Sequence, residues 1–153
     1  MTTTAALHNV AFALVRDAAH LMDSIDPGTT VLTTHDYGPL TIRARRVYTL
    51  EQDTLTLIAY HGNQLAATVI ASNNGHRVTA RIHQILIAGV LFKRSGDWGF
   101  VGIGRVAGRR RRFGLTANRA HNWRVDVNGE QPTMWPSLDA AASHITDTYA
   151  PTS

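Results

Sequence analysis

Four consecutive arginines, Arg109 to Arg112, form the most conspicuous group of chemically active side chains in this sequence. Planar guanidinium groups match phosphate oxygens in a bidentate geometry, which makes arginine a common ligand of nucleic-acid backbones. Four adjacent like charges repel each other, so the run is expected in an exposed loop or at a strand end that gains from meeting an anion. The alternative interpretations are a solvated basic loop, or a loop that meets lipid headgroups or an acidic protein.

Positive charge is concentrated around this run rather than spread over the chain. Residues 77–124 hold eleven basic side chains and one acid, Asp97, while the net charge of all 153 residues is +4. Arginine outnumbers lysine 14 to 1, as a GC-rich genome would produce, but that bias does not explain the clustering. We therefore predict that phosphates of DNA or RNA contact the following arginines: Arg77, Arg81, Arg105, Arg109, Arg110, Arg111, Arg112 and Arg119.

Neighbouring side chains extend this hypothesis. Phe113 or Trp123 could stack on an unpaired base. In the segment 77–83, basic and polar side chains alternate with apolar ones, and Arg43 and Arg45 alternate in the same way on an earlier strand. If the two strands are neighbours, one face of the sheet is basic, whereas the alternative is an ordinary solvated sheet face.

Other kinds of site find little support in the residue pattern. The chain has no cysteine, which excludes disulfides, thiolate nucleophiles and cysteine-bound metals. The eight histidines lack the HxH, HxxxH and HExxH spacings of zinc sites. The acidic residues are scattered, and the chain contains no G-x-S-x-G motif. We expect a non-enzymatic protein without a metal site or catalytic residues, and an enzyme with an unrecognised site is a further alternative.

The segment 101–108 contains the pattern G-x-G-x-x-A after an apolar stretch, which is the outline of a dinucleotide-binding turn. That turn requires a helix directly after the glycines, inside a parallel βαβ unit. Four arginines follow instead, and the surrounding pattern is antiparallel. We therefore expect the glycines to mark a bulged or closely packed strand, and we expect no cofactor.

A helix is predicted at each end of the chain. Apolar residues recur every three or four positions from Leu7 to Ile25, which indicates an amphipathic helix over roughly residues 4–25 that ends before Pro27-Gly28. Near the other end, Ser137 is predicted to cap a final helix with a modest apolar face.

Between the helices the apolar period changes to two, which is typical of strands. Short turns separate the strands and favour an antiparallel meander, with Asn128-Gly129 as the clearest hairpin signal. The candidate strands cover residues 31–34, 40–50, 54–60, 65–72, 77–92 with a break near Gln84, 98–106, 123–127 and 130–135.

Together these patterns predict a single α+β domain over residues 1–153, with an antiparallel meander of about six to eight strands. The N-terminal residues resemble no signal peptide, and no stretch is apolar for the roughly 18 residues that a bilayer span needs. We expect a cytoplasmic nucleic-acid-binding accessory protein of a bacterium or its phage, with no membrane partner. The alternative is a protein–protein assembly or adaptor module, phage structural or chaperone-like, that meets an acidic protein. Exposed strand edges leave homo-oligomerisation open.

Overall fold

A computed structural model describes residues 7–32, 39–106 and 108–149 of the chain, and the side chains of residues 30–32 are not described. Their α+β class and antiparallel meander confirm the sequence prediction, with ten strands in hydrogen-bonded chain order instead of six to eight. The chain divides into two compact units, one of Asn9–Ile85 and one of Leu86–Ser153 together with Met1–His8. The single domain predicted over residues 1–153 stays a prediction.

The first unit combines one helix with the first strands of the meander. Its helix packs on the third and fourth strands through buried side chains that include Leu14 and Met22. The helix begins later than the predicted residue 4. Residues 4–6 of that predicted helix and residues 33–34 of the first predicted strand lie outside the described residues. The elements are α1 (Asn9–Ser24), β1 (Gly28–Leu32), β2 (Thr41–Tyr48), β3 (Asp53–His61), β4 (Gln64–Asn73) and β5 (Val78–Ile87), the last two residues of β5 belonging to the second unit.

The second unit continues the meander and closes with a helix that packs on its last two strands. The Ser137 hydroxyl accepts a hydrogen bond from the Ala140 amide at 3.0 Å, which confirms the predicted helix cap. In the described ranges, neither helix is long and apolar enough to cross a membrane. The elements are β6 (Val90–Arg94), β7 (Gly99–Val106), β8 (Arg109–Ala117), β9 (Trp123–Val127), β10 (Thr133–Trp135) and α2 (Leu138–Tyr149).

Several strand boundaries differ from the sequence prediction. β1 begins at Gly28 instead of residue 31, and β10 begins at Thr133 instead of residue 130. The stretch 77–92 is broken at Ala88-Gly89, where both residues have positive φ, as a two-residue type I′ turn requires. Gln84, where the break was expected, stays inside β5 beside a shift in register and accepts a hydrogen bond from the Thr68 hydroxyl at 2.9 Å. The run Arg109 to Arg112, expected as a loop or strand end, begins the full strand β8, which pairs with both β7 and β9.

The glycine pattern of residues 102–104 serves the core of the second unit. Gly102 lies between Phe92 and Phe113 in the strand register, and the centroids of these two rings lie 5.7 Å apart. A Cβ atom at Gly104 would lie 2.8 Å from a methyl group of Val90. The glycines therefore admit large side chains from neighbouring strands. Because an antiparallel strand follows them, the helix that a dinucleotide-binding turn needs is absent from this described segment.

In the first unit, a half-buried arginine fastens the end of α1 to the sheet. The Arg46 guanidinium donates hydrogen bonds to the carbonyl oxygens of Met22 (2.6 Å) and Ile25 (2.8 Å) and to both carboxylate oxygens of Asp53 (3.0 Å each). The hydrogen bond with Asp53 raises the pKa of Arg46, although burial opposes this shift. A cation is also favourable at the negative end of a helix dipole. Arg46 thus joins one helix end and two strands.

We expect Gly104→Ala to lower the free energy of unfolding by about 1–3 kcal/mol, because the new methyl group overlaps Val90. The double variant G104A/V90A should recover part of that loss. Gly114→Ala is a matched control, since its Cβ would meet only Asp126 Cβ at an ordinary 3.7 Å. Urea denaturation of the purified variants measures all three values. Equal losses in G104A and G114A would show that close packing is not the reason for the glycine.

We expect Arg46→Met to cost about 3 kcal/mol of stability, because it leaves the Asp53 carboxylate without its bidentate partner in a largely buried position. Arg46→Lys should lose less, since it keeps the charge but not the fork geometry. The exposed neighbour Arg45 provides the control, and Arg45→Ala should change stability by no more than about 0.5 kcal/mol. Similar losses at both positions would contradict the special role of Arg46.

Candidate nucleic-acid interface

Strand alternation divides the arginine run between the two sides of β8. Arg109 and Arg111 lie on the side of the buried residue Phe113, whereas Arg110 and Arg112 lie on the opposite side. The side chains of Arg110 and Arg112 are exposed, and that of Arg111 is only 20% exposed. We call the side of the second unit's strands that carries Arg110 and Arg112 the outer face.

Three arginines come together on the outer face. Arg105 on β7 lies directly opposite Arg110 on β8, and Arg112 is two residues further along the same strand. Directly opposed residues have Cβ atoms only about 5 Å apart, so the two like charges repel each other. Among the residues that the structure describes, no acidic side chain forms an ion pair with any of the three. We call Arg105, Arg110 and Arg112 the outer triad.

The rest of the outer face is mixed in charge. Lys93 on β6 is exposed and extends the positive field, which the sequence analysis missed although its place beside buried Phe92 signals an outward side chain. Arg124 on β9 pairs with Asp126 at 3.0 Å and is therefore partly neutralised. An open depression of about 490 Å³ lies beside the triad. It is lined by Val101, Arg112, Gly114, Asp126, Val127 and Asn128.

Arg111 has a different environment from its neighbours in the run. Its guanidinium donates to a Glu130 carboxylate oxygen at 3.0 Å and lies 5.8 Å from the centre of the Tyr149 ring. The Tyr149 hydroxyl donates to the other Glu130 oxygen, and its ring meets Phe113 edge-on at 5.4 Å. Arg111 therefore joins β8 to the last residue of α2, and its charge is matched within the protein.

The cluster also changes the acidity of a tyrosine. Burial, followed by the hydrogen bond to Glu130 and the charge of that carboxylate, raises the pKa of Tyr149 to about 12, although Arg111 opposes the shift. The neutral phenol is therefore the form that the folded protein favours.

The remaining predicted site residues do not join the outer triad. Arg109 is exposed on the opposite side of β8, and Arg119 is exposed in the turn that follows the far end of that strand. Arg77 precedes β5 and Arg81 lies on it, both in the other compact unit. Whether these four arginines contact nucleic acid stays a prediction.

The condition that the sequence analysis set for a basic sheet face is not met in the first unit. β3 and β4 lie between β2 and β5, so the strands that carry Arg45 and Arg81 are not neighbours. The strand register nevertheless places them at the two ends of one row across the sheet, with Thr56 and Ile70 between them. The basic residues are thus separated by uncharged side chains.

The aromatic residues beside the arginine run point into the second unit. Phe113 is fully buried, so the predicted stacking of a base on this ring is wrong. Trp123 lies on the same side and has its ring centroid 6.1 Å from that of Phe100. Neither of these two rings is therefore a stacking platform beside the outer triad.

In the described part of the chain, no three histidine or acidic side chains are grouped so that they could hold a metal ion. The chain matches no protein-family model, and comparisons with curated proteins and with solved structures find no match. The functional interpretation therefore depends on the geometry of the charged residues.

We expect the phenol of Tyr149 to titrate near pH 12, measured as the difference in phenolate absorbance between the wild-type protein and Tyr149→Phe. This pKa exceeds the value of about 10 for a free tyrosine. The protonated phenol of Tyr149 therefore contributes to folding stability fully below about pH 10, and that contribution is lost as the pH rises through 12. In Glu130→Gln the pKa should move downward, since the acceptor charge is gone and Arg111 remains. An unchanged pKa in that variant would exclude Glu130 as a cause.

Proposed function

We propose that this protein is a non-enzymatic nucleic-acid-binding accessory protein of a bacterium or its phage, and that it acts in the cytoplasm. We further propose that the outer triad contacts the phosphate backbone. The observation that supports this most directly is the triad itself. Arg105 and Arg110 face each other across two paired strands without an acidic partner among the described residues. A phosphate between them would replace repulsion by two charge-assisted hydrogen bonds.

The charge of the second unit supports the same proposal. Residues 86–153 contain nine basic and five acidic side chains, a net charge of +4. Two of those basic residues, Arg111 and Arg124, already pair with carboxylates, whereas the triad and Lys93 present exposed cations on the outer face. Neutralising phosphates there would release condensed counterions, which supplies most of the free energy of sequence-independent binding.

The mode of binding follows from the side chains that the outer face presents. Arginines on a flat strand pair can position a nucleic-acid backbone, but phosphate contacts carry no sequence information. The side chain opposite Arg112 is Ile103, which offers no hydrogen bond to a base edge. We therefore propose binding without base readout at the triad.

An assembly or adaptor module is the second candidate. Ile103 and Met134 are each 53% exposed although both are large apolar side chains, and both lie on the outer face. Apolar residues with a basic rim also suit an acidic protein surface. In that case the triad would select an acidic protein surface rather than bind phosphates.

We expect the triple variant R105A/R110A/R112A to bind duplex DNA more weakly, with a slope of log affinity against log salt that is shallower by about 3. The loss should be equal on two unrelated sequences. Its stability should change little, because all three side chains are exposed. Fluorescence anisotropy over a salt series, together with urea denaturation, measures both quantities.

The control is R16A/R43A/R45A, which lowers the net charge by the same amount in the other unit. It should leave most of the salt slope in place. Arg111→Ala should behave in the opposite way to the triple variant, with lower stability and an almost unchanged slope, because Arg111 is bound by Glu130. If the parent protein binds no nucleic acid at low salt, or the triple variant keeps its slope, the phosphate proposal fails and the adaptor candidate takes its place.

A further inference from the structure

We propose that the far end of β8 carries a separate site for an unpaired nucleobase, formed by Trp98, His121 and Arg119. This inference rests on the proposed nucleic-acid function and assigns a ligand class to a surface other than the outer triad. The base would stack on the indole ring of Trp98, and Arg119 would meet an adjoining phosphate.

Trp98 is the exposed tryptophan of the second unit. Its side chain is 55% exposed, while Trp123 packs near Phe100 and Trp135 stacks on His144. The backbone of Trp98 is held in place, since its carbonyl oxygen accepts a hydrogen bond from the Ala117 amide at 2.7 Å. A large aromatic face is thus presented to solvent from a fixed position on the sheet.

The turn beside Trp98 is built to hold two further side chains. The Asn118 side-chain oxygen accepts hydrogen bonds from the amides of Ala120 and Asn122, both at 3.0 Å, and this turn places His121 at a positive φ of 63°. Its exposed members include Arg119 and His121. The turn therefore offers a cation and a second ring to the same ligand.

The two rings are close but do not cover each other. The centroids of Trp98 and His121 lie 6.4 Å apart with an interplanar angle of 41°. Trp135 and His144, by contrast, are stacked, with ring centroids 4.4 Å apart and an interplanar angle of 24°. The indole face of Trp98 is therefore not occupied by the imidazole, and a planar base can stack on it.

The site lies at the opposite end of the β7–β8 pair from the outer triad. Seven residue steps of β8 separate Arg110 from Ala117, about 23 Å of extended strand, and Arg119 lies in the turn beyond it. The same register places Trp98 opposite Ala117, on the side of the strands that carries Phe113, so Trp98 does not share the outer face with the triad. A closed duplex has no free base for the indole, whereas a single strand does.

The test compares Trp98→Ala, Trp98→Phe and Trp98→Leu on a thymidine oligonucleotide and on a duplex, each about 15 nucleotides long. We expect W98A to weaken single-strand binding about 5- to 100-fold and leave duplex binding unchanged. W98F should retain much of the affinity, and W98L should resemble W98A because it keeps apolar bulk without an aromatic face. Trp135→Phe is the control and should leave both affinities unchanged. Single-strand binding should quench the tryptophan fluorescence of the wild type but not that of W98F.

Four results would overturn the inference. Single-strand affinity that is equal in the wild type, W98A and W98L would exclude stacking, and equal losses on both ligands would exclude an unpaired base as the target. In either case binding that still depends on the outer triad would leave the proposed function standing. If the wild type binds neither ligand, both proposals fail together. Loss of a captured protein partner in W98A, with oligonucleotide affinity unchanged, would identify the surface as a protein contact.

Discussion

The two-residue period of an antiparallel strand is the constraint on which the charge distribution of this protein depends. Arginines that are adjacent in sequence are sent to opposite sides of the sheet. In β2, Arg45 points to solvent and Arg46 points toward α1. In β8, Arg110 and Arg112 point outward while Arg111 meets Glu130 and Tyr149. Residues of one type therefore have different environments, and strand phase determines which side of the sheet each one is on.

The inward arginines hold helix ends. A guanidinium that leaves water must be matched by a carboxylate or by carbonyl oxygens, because an unpaired buried charge is strongly destabilising. Arg46 is matched by Asp53 and by two carbonyls at the end of α1, and Arg111 by Glu130 and the ring of the last residue of α2. Each compact unit thus fixes its own helix to its own strands through one such cation.

Sequence patterns predicted the elements that local rules determine and missed those that depend on contacts with residues distant in the sequence. The helix cap at Ser137 and the turn at Asn128-Gly129 follow from capping and turn chemistry, and both are present. β9 and β10 pair as that turn predicts, but β10 begins at Thr133 rather than directly after the turn. β8 was missed because four like charges outweighed the period-two signal of Phe113 and Leu115 beyond them. Extending that alternation back through the run would have placed Arg111 inward. The structural role of Gly104 was out of reach, since it depends on Val90 from another strand.

Of the eight arginines predicted to bind nucleic acid, the strand register brings Arg105, Arg110 and Arg112 together. Genome composition can supply arginine in place of lysine at any exposed position, but it does not favour placing two of them directly opposite each other. Opposed like charges lower the stability of a strand pair. A neighbouring acid would relieve the repulsion, as Asp126 neutralises Arg124 on β9. At Arg105 and Arg110 no described acid does so. We propose that an anion outside the protein compensates this pair, since it would recover the lost stability when it binds.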